Sequence, residues 1–193
     1  MICLICPGFH LAKDTVAFVK ALEGSQQKNP DSQLSKFQIL VYPAPDRSPV
    51  LSWQIVQFLR QSLPQPQSSQ TGEGSSSVAI AFLGFSAGVV GALGAAHLWQ
   101  HQGGQVQCLM ALDGWGVPLW GDFPIHRLSH DSWTHWTTGG GQSSTADFYA
   151  DPAVTHLDLW RAPQRVWGWR VHAGQQQRCC ATDFIGQILS HPT

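Results

Sequence analysis

Residues 84–88 read Gly84-Phe85-Ser86-Ala87-Gly88, a serine held between two glycines with G-x-S-x-G spacing. A serine hydroxyl becomes a nucleophile when a base takes its proton and fixed N–H groups hold the oxyanion that forms. The spacing serves that chemistry when a strand leads into it and a helix follows, because the tight turn lifts the hydroxyl clear of the sheet edge. Glycines flank such a turn because it leaves no room for a Cβ on either side. The string alone is short, so its context decides. Val78–Leu83 is a brief apolar run suited to a fully buried parallel strand. Ala87 to Trp99 suits a helix, and Gly91, Ala92, Gly94, Ala95 and Ala96 would let it pack close to a sheet. The competing explanation is an ordinary strand-to-helix turn with an idle serine.

An imidazole is the natural base, since it titrates near neutrality. A buried carboxylate would then fix its tautomer and stabilise the imidazolium. The chain has 9 histidines. His97 and His101 fall on the helix after Ser86, and His10 follows the first strand, where it could line a pocket. His130 and His135 flank Asp131. His156 follows Ala146–Val154, a segment with the character of a last short strand; His172 would hold that place if Val166–Val171 were the strand instead. Asp113 and Asp131 end successive predicted strands, where an aspartate also serves as a simple cap. The histidine spacings form no H-x-x-x-H set with an acid, and no cysteine pair is placed to help, so neither metal nor cofactor is expected.

The elements that must carry these groups alternate. Ile2–Cys6 reads as a strand, Leu11–Leu22 as a helix, 23–36 as a polar loop and Phe37–Tyr42 as a strand. Ser48-Pro49 begins a helix running to about Leu63. Residues 64–77, rich in Pro, Gln, Ser and Gly, read as a flexible surface loop within one domain spanning 1–193. Val106–Leu112 and Phe123–Ser129 are further strands, 132–147 is loop-like, Leu159–Val171 reads as a helix or in part a strand, and Ala181–Leu189 as a helix. The alternation predicts an α/β fold: a mostly parallel sheet flanked by helices on both faces, with ligands at the carboxyl ends of its strands.

Composition narrows the partners. A net charge of −1, without any basic block, gives no footprint for nucleic acid or an anionic membrane. No stretch has the length of a membrane span, and Met1-Ile2-Cys3-Leu4-Ile5-Cys6-Pro7 reads as a core strand, not a signal peptide. The 5 cysteines, an odd number without ligand spacing, fit reduced thiols in the cytoplasm. Cys3-x-x-Cys6 is explained by alternation within a strand.

In element order nearly the whole chain resembles the α/β-hydrolase superfamily, in particular its minimal single-domain lipase and esterase members without a lid domain. Gly84-Phe85-Ser86-Ala87-Gly88 matches the family's nucleophile elbow, and Cys6-Pro7-Gly8-Phe9-His10 stands where the family has its oxyanion loop, with Pro7 in place of the usual His. His156-Leu157-Asp158-Leu159-Trp160 resembles the segment around the family's catalytic histidine. The resemblance implies a triad of Ser86, Asp131 and His156, with the N–H groups of Phe9 and Ala87 as oxyanion hole. Asp113 is the alternative acid, as in some hydrolases, and His172 the alternative base. His10, Phe85, Trp115 and Trp133 are expected to line the substrate pocket, within a wider cluster of tryptophans that includes Trp120, Trp136 and Trp160.

The expected activity is hydrolysis of a small-molecule carboxylic ester or thioester through an acyl-enzyme, without a cofactor. The same triad could pass the acyl group to an alcohol or amine. The alternative from another class is a hydrolase-fold binding protein that has lost catalysis. The oligomeric state leaves no mark in the sequence.

Overall fold

The computed structural model describes residues 1–28, 37–44, 46–63, 78–138 and 145–190. The expected loop 64–77 lies outside them. In chain order the elements are β1 (Ile2–Cys6), α1 (Ala12–Lys28), β2 (Gln38–Val41), α2 (Ser52–Ser62), β3 (Ile80–Phe85), α3 (Gly88–His101), β4 (Val106–Leu112), β5 (Ile125–Ser129), α4 (Ser132–Thr137), β6 (Asp147–Ala150), α5 (His156–Arg161), β7 (Trp167–His172), β8 (Gln175–Cys180) and α6 (Ala181–Ser190). The strands form one 8-stranded sheet in the order β2-β1-β3-β4-β5-β6-β7-β8. Neighbours from β2 to β6 run parallel, while β7 and β8 join antiparallel. The fold is therefore α/β with a mostly parallel, mixed sheet.

The apolar runs explain the sheet's middle. Every residue of β1 and β3 is buried, as a strand with covered faces requires. Alternate residues enter two separate cores. Cys3, Ile5, Ala81, Leu83, Phe85, Cys108, Met110 and Leu112 pack with Phe18 of α1, Trp160 of α5 and Phe184 of α6. Ile2, Leu4, Cys6, Ile80, Phe82 and Leu109 pack with Ile55 and Leu59 of α2 and Ala92, Ala95 and Ala96 of α3. Gly91 and Gly94 of α3 admit the entry to α2 rather than the sheet: a Cβ on Gly91 would sit 2.0 Å from the Pro49 carbonyl oxygen, and one on Gly94 2.1 Å from Ser52 Oγ.

Four local expectations change. The chain from 23 to 28 continues α1 instead of opening a loop, since Glu, Gln and Lys hold a helix well and nothing crowds Gly24. The helix expected from Ser48 starts at Ser52, after a turn. Residues 132–137, read as loop, form α4, because Asp131 caps it by accepting from Thr134 N–H at 2.6 Å. Of Val166–Val171, Trp167 to Val171 belong to β7, and Gln-rich 175–180 pairs with it as β8 through a tight turn in which Ala173 and Gly174 have φ of 49° and 76°. No helix of the described residues is long and apolar enough to cross a membrane.

The order β2-β1-β3 places the reversal of chain direction across the sheet between β1 and β3. A crevice at the carboxyl ends of these two strands is the expected ligand position for such a sheet. The loop after β1 and the turn after β3 meet there.

Candidate active site

The turn after β3 carries Ser86. Its φ is +54°, in the left-handed region that a side chain seldom adopts, and its N–H donates to Leu112 O at 2.9 Å. Both flanking glycines are forced by contact. A Cβ on Gly84 would lie 2.7 Å from Val89 Cα, and one on Gly88 2.1 Å from the Cys6 carbonyl oxygen. Gly8 closes the same junction from the β1 side, where a Cβ would meet Phe85 O at 2.8 Å and Ser86 Cβ at 3.0 Å. The loop after β1 thus lies directly on the serine turn.

That packing makes a stability prediction. Gly88→Ala should destabilise the fold by about 3 kcal/mol, because the obstructing atoms are backbone and cannot rotate away. Gly186→Ala in α6, where nothing lies within 4 Å, should be neutral or slightly stabilising. Differential scanning calorimetry checks both: Gly88→Ala should lower Tm by roughly 6 to 12 °C. Equal Tm values for the two variants would refute the close approach.

Phe85 pairs with Leu112 in the sheet, so Ser86 and Asp113 leave adjacent strands at the same level. Asp113 also has a positive φ, +48°, and its N–H donates to Leu128 O at 2.8 Å. Its side chain is fully buried, and Oδ2 accepts from His156 Nδ1 at 2.9 Å. Oδ1 accepts from the main-chain N–H of His130 at 2.9 Å. Burial would raise the Asp113 pKa, but the hydrogen bonds from His130 and His156 outweigh it and hold the carboxyl below its usual range. Asp113 is therefore an anion at neutral pH.

His156 opens α5, a helix of 6 residues that could not persist alone. Leu159 and Trp160, both buried, anchor it; each such side chain contributes about 2 kcal/mol by leaving water. Trp160 stacks on Phe18 and on Phe85, at 3.8 and 4.6 Å between centroids, and the other face of the site is built on Phe85, whose ring stacks on His156 at 4.5 Å. With Nδ1 donating to Asp113, a neutral His156 carries its lone pair on Nε2. No hydrogen bond joins the Ser86 hydroxyl to His156 or to another described side chain. Catalytic hydrogen bonds are often open before substrate binds.

The carboxylate that reaches His156 is thus that of Asp113, not Asp131. Asp131 is occupied as the N-cap of α4 and lies 3.1 Å from His130 Nε2. His172 is removed from contention by direction: β7 runs antiparallel to β6, so its end lies at the sheet edge opposite the carboxyl ends of the parallel strands. His130, noted from sequence only as a neighbour of Asp131, places Nδ1 3.0 Å from Asp113 Oδ2. The adjacent His130-Asp131 pair was the available signal.

Among the described residues the amides of Phe9 and Ala87 donate to no acceptor, and α3 begins without a side-chain cap. The pocket lining differs from expectation. Two cavities, each about 510 Å³, share Gly8 and His10. One is apolar, walled by Val16 and Val19 of α1 and by Tyr42 and Pro43 after β2; the other is bounded by Phe9, Arg47 and Ser48. Trp115 and Trp133 line neither: Trp115, 68% exposed, borders a small cleft beside Asp113, and Trp133 on α4 is 76% exposed. Phe85, 1% exposed, is a core support for His156 rather than a pocket wall. Burial pushes the His10 pKa down, and its Nε2 lies 2.8 Å from Thr15 Oγ1.

The ligand atoms of Asp113, His130 and His156 lie within 4.8 Å of one another, close enough for a metal set. Hydrogen bonding by His156 and charge pairing by His130 account for the cluster as it stands: both bring Nδ1 to one oxygen, at 2.9 and 3.0 Å, where a cation would have to part them. No protein-family model matches the chain, and no curated protein matches it in sequence.

Proposed function

We propose that this chain is a serine hydrolase of the α/β-hydrolase kind that cleaves a carboxylic ester or thioester through an acyl-enzyme on Ser86. The observation that carries the reading is the left-handed Ser86 at the strand-to-helix turn, level with the buried Asp113 that holds His156. In this reading the two separate cores correspond to helical layers on both faces of a single, lid-free domain.

The steps follow from the groups present. His156 Nε2 takes the Ser86 proton while Oγ attacks the carbonyl carbon. The oxyanion is held by the N–H groups of Phe9 and Ala87, each worth about 3 kcal/mol of transition-state stabilisation. The imidazolium, balanced by Asp113, returns its proton to the departing alcohol or thiol. Water then attacks the acyl-enzyme by the same path, regenerating Ser86 and releasing the acid. An alcohol or amine reaching the acyl-enzyme first would give acyl transfer. Free, buried cysteines fit a cytoplasmic protein.

The open Ser86–His156 contact favours a second reading, a binding protein that keeps the fold without turnover. An alkyl fluorophosphonate separates the two. The enzyme should be labelled once, at Ser86, with labelling lost in Ser86→Ala. A folded wild-type chain that resists the probe from pH 5 to 9 would leave the binding reading standing.

A further inference from the structure

His130 is the one titratable side chain of the cluster that the three-residue reading leaves unused. Its ring lies between two carboxylates, with Nδ1 3.0 Å from Asp113 Oδ2 and Nε2 3.1 Å from Asp131 Oδ2. Neither contact is aligned as a hydrogen bond, and Nδ1 has no hydrogen-bond partner, so the pairing is one of charge: a neutral imidazole would turn a lone pair on one anion, whereas the imidazolium is at ion-pair distance from both. The same residue also holds the other oxygen of Asp113 through its main-chain N–H. We infer that His130 is a positioning residue of this site: an imidazolium bridging Asp131 and Asp113, it locks the Asp113 carboxylate and screens its charge from His156. The inference rests on the reading of His156 as the base.

The charges give the direction. Asp113 is buried with two imidazoles on one oxygen, and the His130 and His156 ring centroids are 6.2 Å apart. An anion alone would stabilise the His156 imidazolium strongly; the His130 cation opposes it and leaves His156 a freer base at lower pH. Nearby groups do not cancel this. His10, from the loop after β1, is kept neutral by burial near neutral pH. Arg161, on the same helix as His156, pairs with Asp14 at 3.0 Å. Asp158 is bonded to Thr155. The pairing with Asp113 raises the His130 pKa above the ordinary imidazole value, against the effect of burial.

The test uses the full chain. The pH dependence of the rate of labelling by an alkyl fluorophosphonate is measured alongside a 15N titration of the imidazole nitrogens by NMR. In the wild type His130 should show both nitrogens protonated at pH 7; a neutral His130 overturns the inference. In His130→Gln the labelling midpoint and the His156 titration should both move up by about one pH unit, so labelling well below the midpoint falls about tenfold. His130→Arg keeps a cation and should leave the midpoint near wild type. An unmoved His156 titration in His130→Gln overturns the inference. Should that variant not fold, Asp131→Asn serves, since Asn caps a helix as well as Asp. His130 should then titrate at lower pH than in wild type, and an unchanged His130 titration overturns the bridge. If the wild type resists the probe, the proposed reaction fails while the NMR titrations still decide the role of His130.

Discussion

Ser86→Ala and His156→Ala should each reduce turnover of a short-chain aryl ester by on the order of a million-fold, and the double variant should be no worse than either. The expectation follows from what each group supplies. Without Oγ there is no atom to acylate, and no neighbouring hydroxyl shares the left-handed turn position of Ser86. Without the imidazole the serine keeps its proton, since Asp113 is buried behind His156 and faces its Nδ1 rather than Ser86. What remains in either variant is the contribution of the oxyanion amides and of binding. The measurement is kcat/KM for the three variants, with near-ultraviolet circular dichroism to confirm that each retains its packing. Losses that multiply in the double variant would mean that the two residues act independently, and the acyl-enzyme path would fall.

The elements built of uniformly apolar or small residues could be read from the residues alone. The wholly apolar β1 and β3 and the small-residue helix α3 have few other places to go, and their positions agree with expectation within a residue or two. The margins were harder. β8 is exposed at four of its six positions, so no hydrophobic pattern marks it, and its turn uses Ala173 at a positive φ where Asn is the usual signal. α4 is built of Trp, Thr, His and Ser, weak helix formers whose conformation is set by one cap and by the burial of Thr134 and His135. Local propensity cannot anticipate either.

The site divided along the same line. Ser86 and its glycines were legible because a steric demand of the backbone is written into the residue types. His156, which pairs with Asp113, was singled out through the sequence that follows it, and that segment also places Trp160 under Phe85. That Asp113 rather than Asp131 reaches His156 was not legible, because two aspartates end neighbouring strands and nothing in their sequence tells a cap from a buried carboxylate. The difference lies in geometry: Asp113 leaves β4 with φ of +48° and turns inward, whereas Asp131 leaves β5 extended, at φ of −157°, and starts a helix. The tryptophans misled for a similar reason. Ring size predicts burial on average, yet Trp115 and Trp133 remain in solvent, and the cavities at Gly8 are walled by ordinary aliphatic residues of α1.

Exchanging one carboxylate at a time separates those two aspartates in solution. Asp113→Asn should lower kcat by about ten-thousand-fold. An amide placed with its NH2 toward His156 Nδ1 requires a lone pair there, which puts the proton on Nε2, where the base must be bare. An amide turned the other way keeps the tautomer but no longer balances the imidazolium. Either orientation loses the charge that Oδ2 supplies to His156 at 2.9 Å. Asp131→Asn should keep the plateau rate within about tenfold, because Asn caps α4 equally well and Asp131 touches the site only through His130. Steady-state kinetics at the plateau pH of each variant, with Tm measured in parallel, decides the matter. A large loss in Asp131→Asn beside a mild one in Asp113→Asn would return the acid to Asp131, and the Asp113–His156 pairing on which the proposed mechanism stands would lose its role.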